Sequence, residues 1–212
     1  AEIVVAIIGV ETRYGGNMGS YRVIDALSTL SFDYPPRSEF FGKELEQYLI
    51  MTREQHFDPL QLKGSYAGAM GMGQFIPSSF RAYAVDFDGD GRADIWQSRP
   101  DAIGSVARFL EQHGWVAGKP IATRARTSVE PQRSLIEAGI RPSLKVADLT
   151  EQGILTSADP EHSVALIDLV SPGRETEYWL GYENFYVITR YNRSSFYAMA
   201  VYELARALAA LR

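Results

Sequence analysis

Residues 64–79, Gly-Ser-Tyr-Ala-Gly-Ala-Met-Gly-Met-Gly-Gln-Phe-Ile-Pro-Ser-Ser, constrain this chain more than any other stretch. Their four glycines make a poor helix, while the methionines, alanines and Phe75 are too apolar for an ordinary solvated loop. The stretch therefore has to pack against something. One reading is a binding wall, because glycine lets backbone approach a ligand while single polar groups such as Ser65 and Gln74 point at it. The competing reading is architectural: glycine lets two elements of the fold lie close together.

Upstream, Ile3-Val4-Val5-Ala6-Ile7-Ile8-Gly9-Val10 is apolar nearly all round, as expected of a helix buried in a core. It runs into Glu11-Thr12-Arg13-Tyr14-Gly15-Gly16, and the two glycines predict its stop. Glu11 then falls in the last turn, where the helix dipole disfavours a further negative charge and burial acts in the same direction. A carboxyl so placed keeps its proton near neutral pH and can serve as a general acid. An ion pair between Glu11 and Arg13 or another surface base is the alternative.

The remaining helical signals are strong in the first half. Residues 37–53 repeat apolar side chains at near-helical spacing, and residues 101–112 run to a stop at Gly114. Between 119 and 181 the texture changes to short β-branched or apolar runs, 120–123, 163–170 and 176–180, set off by Pro, Gly and Asp. Helix returns over 194–211. The expected class is therefore α+β: a mostly helical core from 1–118 and 182–212, with 119–181 inserted as a small β-containing subdomain.

Composition excludes several functions. A net charge of −5 with no Lys/Arg run argues against nucleic acid. The absence of cysteine removes disulfides, thiol catalysis and thiolate metal sites, and the scattered His56, His113 and His162 make no zinc pattern. The apolar run 3–10 is far shorter than the roughly 20 residues of a membrane-spanning helix. No secretory leader precedes it, so the chain is expected to start inside the natural protein.

Asp86-Phe87-Asp88-Gly89-Asp90-Gly91-Arg92 reproduces the opening of an EF-hand loop. Carboxylates stand at positions 1, 3 and 5, glycine at 6, and the Arg92 carbonyl at 7. Three carboxylates within five residues repel one another unless a cation joins them, which points to structural calcium; a plain Asp/Gly turn is the alternative. Gln97 holds position 12 and cannot give the bidentate carboxylate found there in the standard loop.

Glu11 within Gly-Val-Glu-Thr-Arg-Tyr-Gly, the run 64–79 and Arg190-Tyr191-Asn192 together resemble the B family of lytic murein transglycosylases. Thr29-Leu30-Ser31-Phe32-Asp33-Tyr34-Pro35 and Asp101-Ala102-Ile103-Gly104-Ser105-Val106 follow in the family's order, so the resemblance covers most of the chain. It implies a lysozyme-like helical core. It also implies that Glu11 protonates the glycosidic oxygen between N-acetylmuramic acid and N-acetylglucosamine, then takes the proton of the muramoyl 6-hydroxyl as a 1,6-anhydro ring closes. Ser65, Gln74 and Tyr191 fall at supporting positions, and Asn192 and Tyr197 at positions lining the cleft. Arg37 matches an arginine that can meet substrate carboxylates, while Pro36 replaces a neighbouring arginine found in some members. Asp101 resembles the residue that closes a lengthened metal loop, with Asp94 as the fallback.

Tyr66, Met70, Phe75 and Phe109 lie near the motif blocks and are candidates to face the sugars. The blocks hold no second carboxylate, so a single-acid mechanism is expected, with the substrate's 2-acetamido group assisting. The expected enzyme is a peptidoglycan lytic transglycosylase. A hydrolytic muramidase and a non-catalytic, calcium-stabilised peptidoglycan-binding module are the alternatives. Expected partners are glycan strands and cell-wall synthases, without organic cofactor or nucleic acid. The expected setting is a periplasmic monomer, with a lipid anchor to the outer membrane carried by a segment outside this chain.

Overall fold

Helix α1 (Glu2–Thr12) buries Ile3, Ala6, Ile7 and Ile8 in the computed structural model, which describes residues 1–211. The all-round burial expected of α1 is not observed. Its 3-6-7 stripe is covered, whereas Val5 and Val10 remain more than a third exposed. The helix also stops before the glycine pair, because Arg13 and Tyr14 themselves turn left-handed, with φ of 52° and 60°. Such backbone costs about 1–2 kcal/mol per residue. It is offset by Arg13 N–H donating to the Gly9 carbonyl at 2.9 Å and Tyr14 N–H to that of Ile8 at 3.3 Å. The Tyr14 ring then lies over Gly9, where a Cβ would fall 2.8 Å from it.

The chain falls into two compact units, residues 1–109 and residue 110 onward. In the first, α1 is followed by β1 (Tyr21–Arg22), α2 (Val23–Phe32), a 3-10 turn (Pro35–Arg37) and α3 (Ser38–Glu54). Then come β2 (Lys63–Gly64), α4 (Pro77–Tyr83) and α5 (Arg99–Gln112), the last running past the boundary. Helix α3 buries Phe41, Glu44, Tyr48, Met51 and Thr52, the 3- and 4-residue spacing seen in the sequence, and packs on α2 and α4. The short ribbon of β1 and β2 is antiparallel, with Tyr21 opposite Gly64. Ser98 precedes α5, and its side-chain oxygen accepts from the Asp101 N–H at 3.3 Å.

The second unit is built on a five-stranded antiparallel sheet ordered β4-β6-β7-β3-β5. Its elements are β3 (Ala122–Thr127), α6 (Arg133–Glu137), β4 (Leu144–Lys145), α7 (Val146–Glu151), β5 (Ile154–Leu155), β6 (Ser163–Leu169), β7 (Glu177–Gly181), α8 (Glu183–Tyr191) and α9 (Ser195–Ala209). The three predicted β runs became β3, β6 and β7, while the short α6 and α7 carried no helical period long enough to see. One sheet face packs Ala125, Val164, Leu166 and Leu180 against Leu135 of α6 and Val146 and Leu149 of α7. The helices α8 and α9 contact β7 and β6. A Cβ on Gly181 would fall 2.8 Å from the Phe185 ring, and the Tyr202 hydroxyl donates to the Ala122 carbonyl at 3.0 Å. Among the described residues no helix is long and apolar enough to cross a membrane.

Candidate active site and acidic loop

Glu11 sits half-buried on the last turn of α1. Its neighbour Thr12 is buried and fixes that turn. The Thr12 hydroxyl lies 3.1 Å from the Ile8 carbonyl oxygen and 2.8 Å from that of Met72, and it accepts from the Gly15 N–H at 2.9 Å. The bond to Met72 ties the end of α1 to the glycine-rich run. Val5, Ile8, Tyr14, Met72, Arg99 and Ile103 line an apolar cavity of about 310 Å³. Glu11 does not line it, so the cavity is not where the acid chemistry would occur.

Between β2 and α4 the glycine-rich run forms successive tight bridges rather than a helix. Ser65 N–H donates to the Ala69 carbonyl at 2.8 Å, and Met70 and Phe75 exchange two backbone bonds of 2.8 and 2.9 Å. Its glycines answer mostly to packing. A Cβ on Gly64 would strike the Ala69 carbonyl, one on Gly68 the Leu27 side chain, and one on Gly71 would come within 2.5 Å of Ile95. The architectural reading accounts for Gly64, while Gly68 and Gly71 are in addition held at positive φ, 81° and 67°.

The polar groups of the run are held tightly. Ser65 Oγ accepts from the Ala67 and Ala69 N–H groups at 3.2 and 3.0 Å, so its own proton is the part left to donate. Gln74 is left-handed, with φ of 50°, and its Nε2 donates to the carbonyls of Met18 at 3.2 Å and Gly71 at 3.0 Å. The amide thus satisfies loop backbone, and its Oε1 is the end suited to accept from a ligand N–H.

Of the apolar candidates, Tyr66 is 72% exposed, whereas Met70, Phe75 and Phe109 are buried at 0%, 3% and 6%. The Phe75 and Phe109 rings lie 6.1 Å apart, and Tyr83 meets Phe109 edge-on at 5.0 Å. These three side chains back the wall from within the core and offer little surface to a sugar. Arg37 is exposed, with its guanidinium 4.5 Å from the Phe40 ring centre. In the second unit, Tyr191 ends α8, Asn192 is extended and exposed, and Tyr197 lies in the first turn of α9, its N–H donating to the Ser194 hydroxyl oxygen.

Three buried carboxylates stand out in the first unit, Glu44, Asp94 and Asp101. Each is engaged by backbone N–H groups. Glu44, which the sequence reading passed over, accepts from the Ser78 N–H at 2.9 Å and its hydroxyl at 2.7 Å, holding the start of α4. Asp94 Oδ1 accepts from Trp96 and Gln97. Asp101, wholly buried, accepts from Phe87 and Asp88 through Oδ1 and from Asp94 through Oδ2. It closes the acidic loop through these hydrogen bonds.

The loop itself brings the carboxylate oxygens of Asp86, Asp88 and Asp90 within 4.8 Å of one another, all exposed. Asp86 accepts from the N–H groups of Gly89, Asp90 and Gly91, and Asp88 accepts from the Ser98 hydroxyl. Gly91, at loop position 6, has φ of 102°, the turn an EF-hand requires there. Asp101 and Asp94 are not part of this cluster.

The Transglycosylase SLT domain family matches residues 1–206. The chain is 49% identical to the membrane-bound lytic murein transglycosylase B of Escherichia coli K12 over the whole chain, and spans 57% of that relative's length. It superposes on soluble lytic transglycosylase SltB1 from Pseudomonas aeruginosa with a TM-score of 0.92 at 55% identity, covering all of this chain and 70% of that one. The Escherichia coli lytic transglycosylase Slt35, solved in complex with calcium, superposes with a TM-score of 0.89 at 47% identity, covering all of this chain and 66% of that one. The lysozyme-like α+β class read from the sequence is the class of these neighbours.

Proposed function

The chain belongs to the family of the Transglycosylase SLT domain, and on that premise we propose that it cleaves peptidoglycan between N-acetylmuramic acid and N-acetylglucosamine, leaving 1,6-anhydromuramoyl ends. The observation that carries the reading is Glu11, a half-buried carboxyl whose helix turn is tied by Thr12 to the glycine-rich wall. The buried carboxylates Glu44, Asp94 and Asp101 are all engaged by N–H groups, which favours one acid over a pair.

In this mechanism Glu11 gives its proton to the glycosidic oxygen as the bond to the muramoyl C1 breaks, and the substrate's acetamido oxygen supports the positive centre. The muramoyl 6-hydroxyl then attacks C1 while Glu11 takes back a proton. No water is consumed. The Ser65 hydroxyl is assigned to hydrogen-bond Glu11, and the Gln74 Oε1 to the acetamido N–H. Arg37 and Tyr66 are the exposed groups suited to contact substrate. Supporting roles for Tyr191, Asn192 and Tyr197 rest on the sequence blocks, as does the division into a catalytic core and an insertion over 119–181.

The acidic loop suits calcium, being an all-oxygen set of three close carboxylates with the Arg92 carbonyl at position 7. A cation there would neutralise their repulsion and brace the loop before α5. The proposed setting is the periplasm, on glycan strands. Product mass tests the reaction: anhydro ends from purified sacculi support it, whereas hydrated ends, one water heavier, would replace it with a muramidase.

A further inference from the structure

Segment 18–22 touches both support residues of the proposed site. The Met18 carbonyl accepts from Gln74 Nε2 at 3.2 Å, and Gly19 lies so close to Gly64 and Ser65 that a Cβ on it would come within 2.5 Å of the Ser65 nitrogen. Two residues on, Tyr21 stands opposite Gly64 in the ribbon of β1 and β2. Directly opposed residues of an antiparallel pair share a face. A side chain on Gly64 would point at the Ala69 carbonyl and Val23, so the face they share is that of the glycine-rich run. Gly64 has no side chain to cover the ring, and Tyr21 stays 58% exposed. Arg22, on the other face, is bound to Asp25 at 2.7 Å.

Ser65 is thus bracketed: Tyr21 faces the residue before it, and the exposed Tyr66 follows it. We propose that Tyr21 is a further substrate-positioning residue, its ring stacking on the apolar face of a pyranose in the glycan strand over the glycine-rich run. The assignment rests on the reading of the site above. A flat ring on a backbone pinned from two sides presents stacking area with little conformational freedom left to lose. The hydroxyl is not required.

The test measures glycan binding and turnover separately. In a Glu11→Gln background, where strands are not consumed, Tyr21→Ala weakens the Kd for purified glycan chains about three- to tenfold, while Tyr21→Phe and Tyr21→Trp stay near the parent. In the active enzyme the same loss appears in KM, with kcat little changed. Tyr21→Thr, which keeps a good strand former, repeats the loss at unchanged melting temperature if the ring is the cause. An unchanged Kd for Tyr21→Ala, or an equal loss in Tyr21→Phe, overturns the proposal. Should the wild type release no anhydro products while Tyr21→Ala still weakens binding, the reaction reading fails and the stacking role stands.

Discussion

The first unit holds two glycine-rich loops, and Gly64 in one and Gly89 in the other are there for opposite reasons. In 64–76, Gly64 has ordinary backbone but no room, since a Cβ would strike the Ala69 carbonyl. In the acidic loop, Gly89 has φ of 78° and nothing within 4 Å of where a Cβ would go. The first loop is shaped by its own Ala69 carbonyl and, from outside, by Val23, Leu27 and Ile95 pressed against it. The second is shaped from within, by aspartate oxygens folded onto their own N–H groups, and its three exposed carboxylates cluster within 4.8 Å of one another. A loop packed in this way holds Ser65 and Gln74 rigidly, as their proposed roles beside Glu11 require, whereas a loop of clustered charge is suited to a cation.

The largest effect expected on the packed side is chemical. Glu11→Gln leaves the helix and the Thr12 bond intact but removes the proton donor, so release of soluble muropeptides falls at least the roughly 10²–10⁴-fold typical of one general acid. Near-wild-type release at unchanged melting temperature would detach the chemistry from this wall altogether.

Next in size is the cost of crowding the wall. Gly64→Ala places a methyl against the Ala69 carbonyl, backbone that cannot turn aside, and is expected to cost about 3 kcal/mol. At 2–4 °C per kcal/mol for a chain of this size, melting drops by about 6–12 °C. A drop of only a degree or two would show the loop to be adjustable and weaken the case that it positions Ser65.

What the sequence made legible divides along the same line. The repeats in α3, α5 and α9, the apolar runs of β6 and β7, and the Asp-x-Asp-x-Asp-Gly signature are local patterns, and each reappears as an element. The crowding at Gly64, Gly68 and Gly71 is only partly local. The Ala69 carbonyl stands close to Gly64 in the chain, but Val23 and Leu27 of α2 and Ile95 are distant, and no short window of sequence contains them together with the run. The early stop of α1 was hidden as well, since Arg13 and Tyr14 turn left-handed although neither is glycine, and the Tyr14 ring comes to lie over Gly9. The burial of Met70, Phe75 and Phe109 and the hydrogen-bonded role of Asp101 likewise depend on what folds around them. Tyr21 escaped notice because it belongs to no motif.

The acidic loop is the side expected to respond to ions. Calcium added to chelated protein raises stability by mass action on a site formed only in the folded chain, about 2.7 kcal/mol at a hundredfold excess over its Kd. Asp88→Ala removes most of that gain without lowering turnover by the folded protein at moderate temperature. No shift in melting temperature with calcium, and no ion in the purified protein, would make the loop an ordinary turn and leave the comparison without its second term.

The smallest effect separates the two kinds of glycine most sharply. Gly89→Ala meets no neighbour, so its whole cost is that of an L-residue at positive φ, about 1–2 kcal/mol. Gly89→Asn costs less, since asparagine visits that backbone region more readily. At Gly64, where φ is ordinary and space is missing, the order reverses: alanine is the least harmful replacement and asparagine, being larger, is worse. Melting temperatures of the four variants in chelator decide the matter. If asparagine is worse than alanine at both positions, volume governs both loops and the contrast between a wall held from outside and a turn held from within is lost.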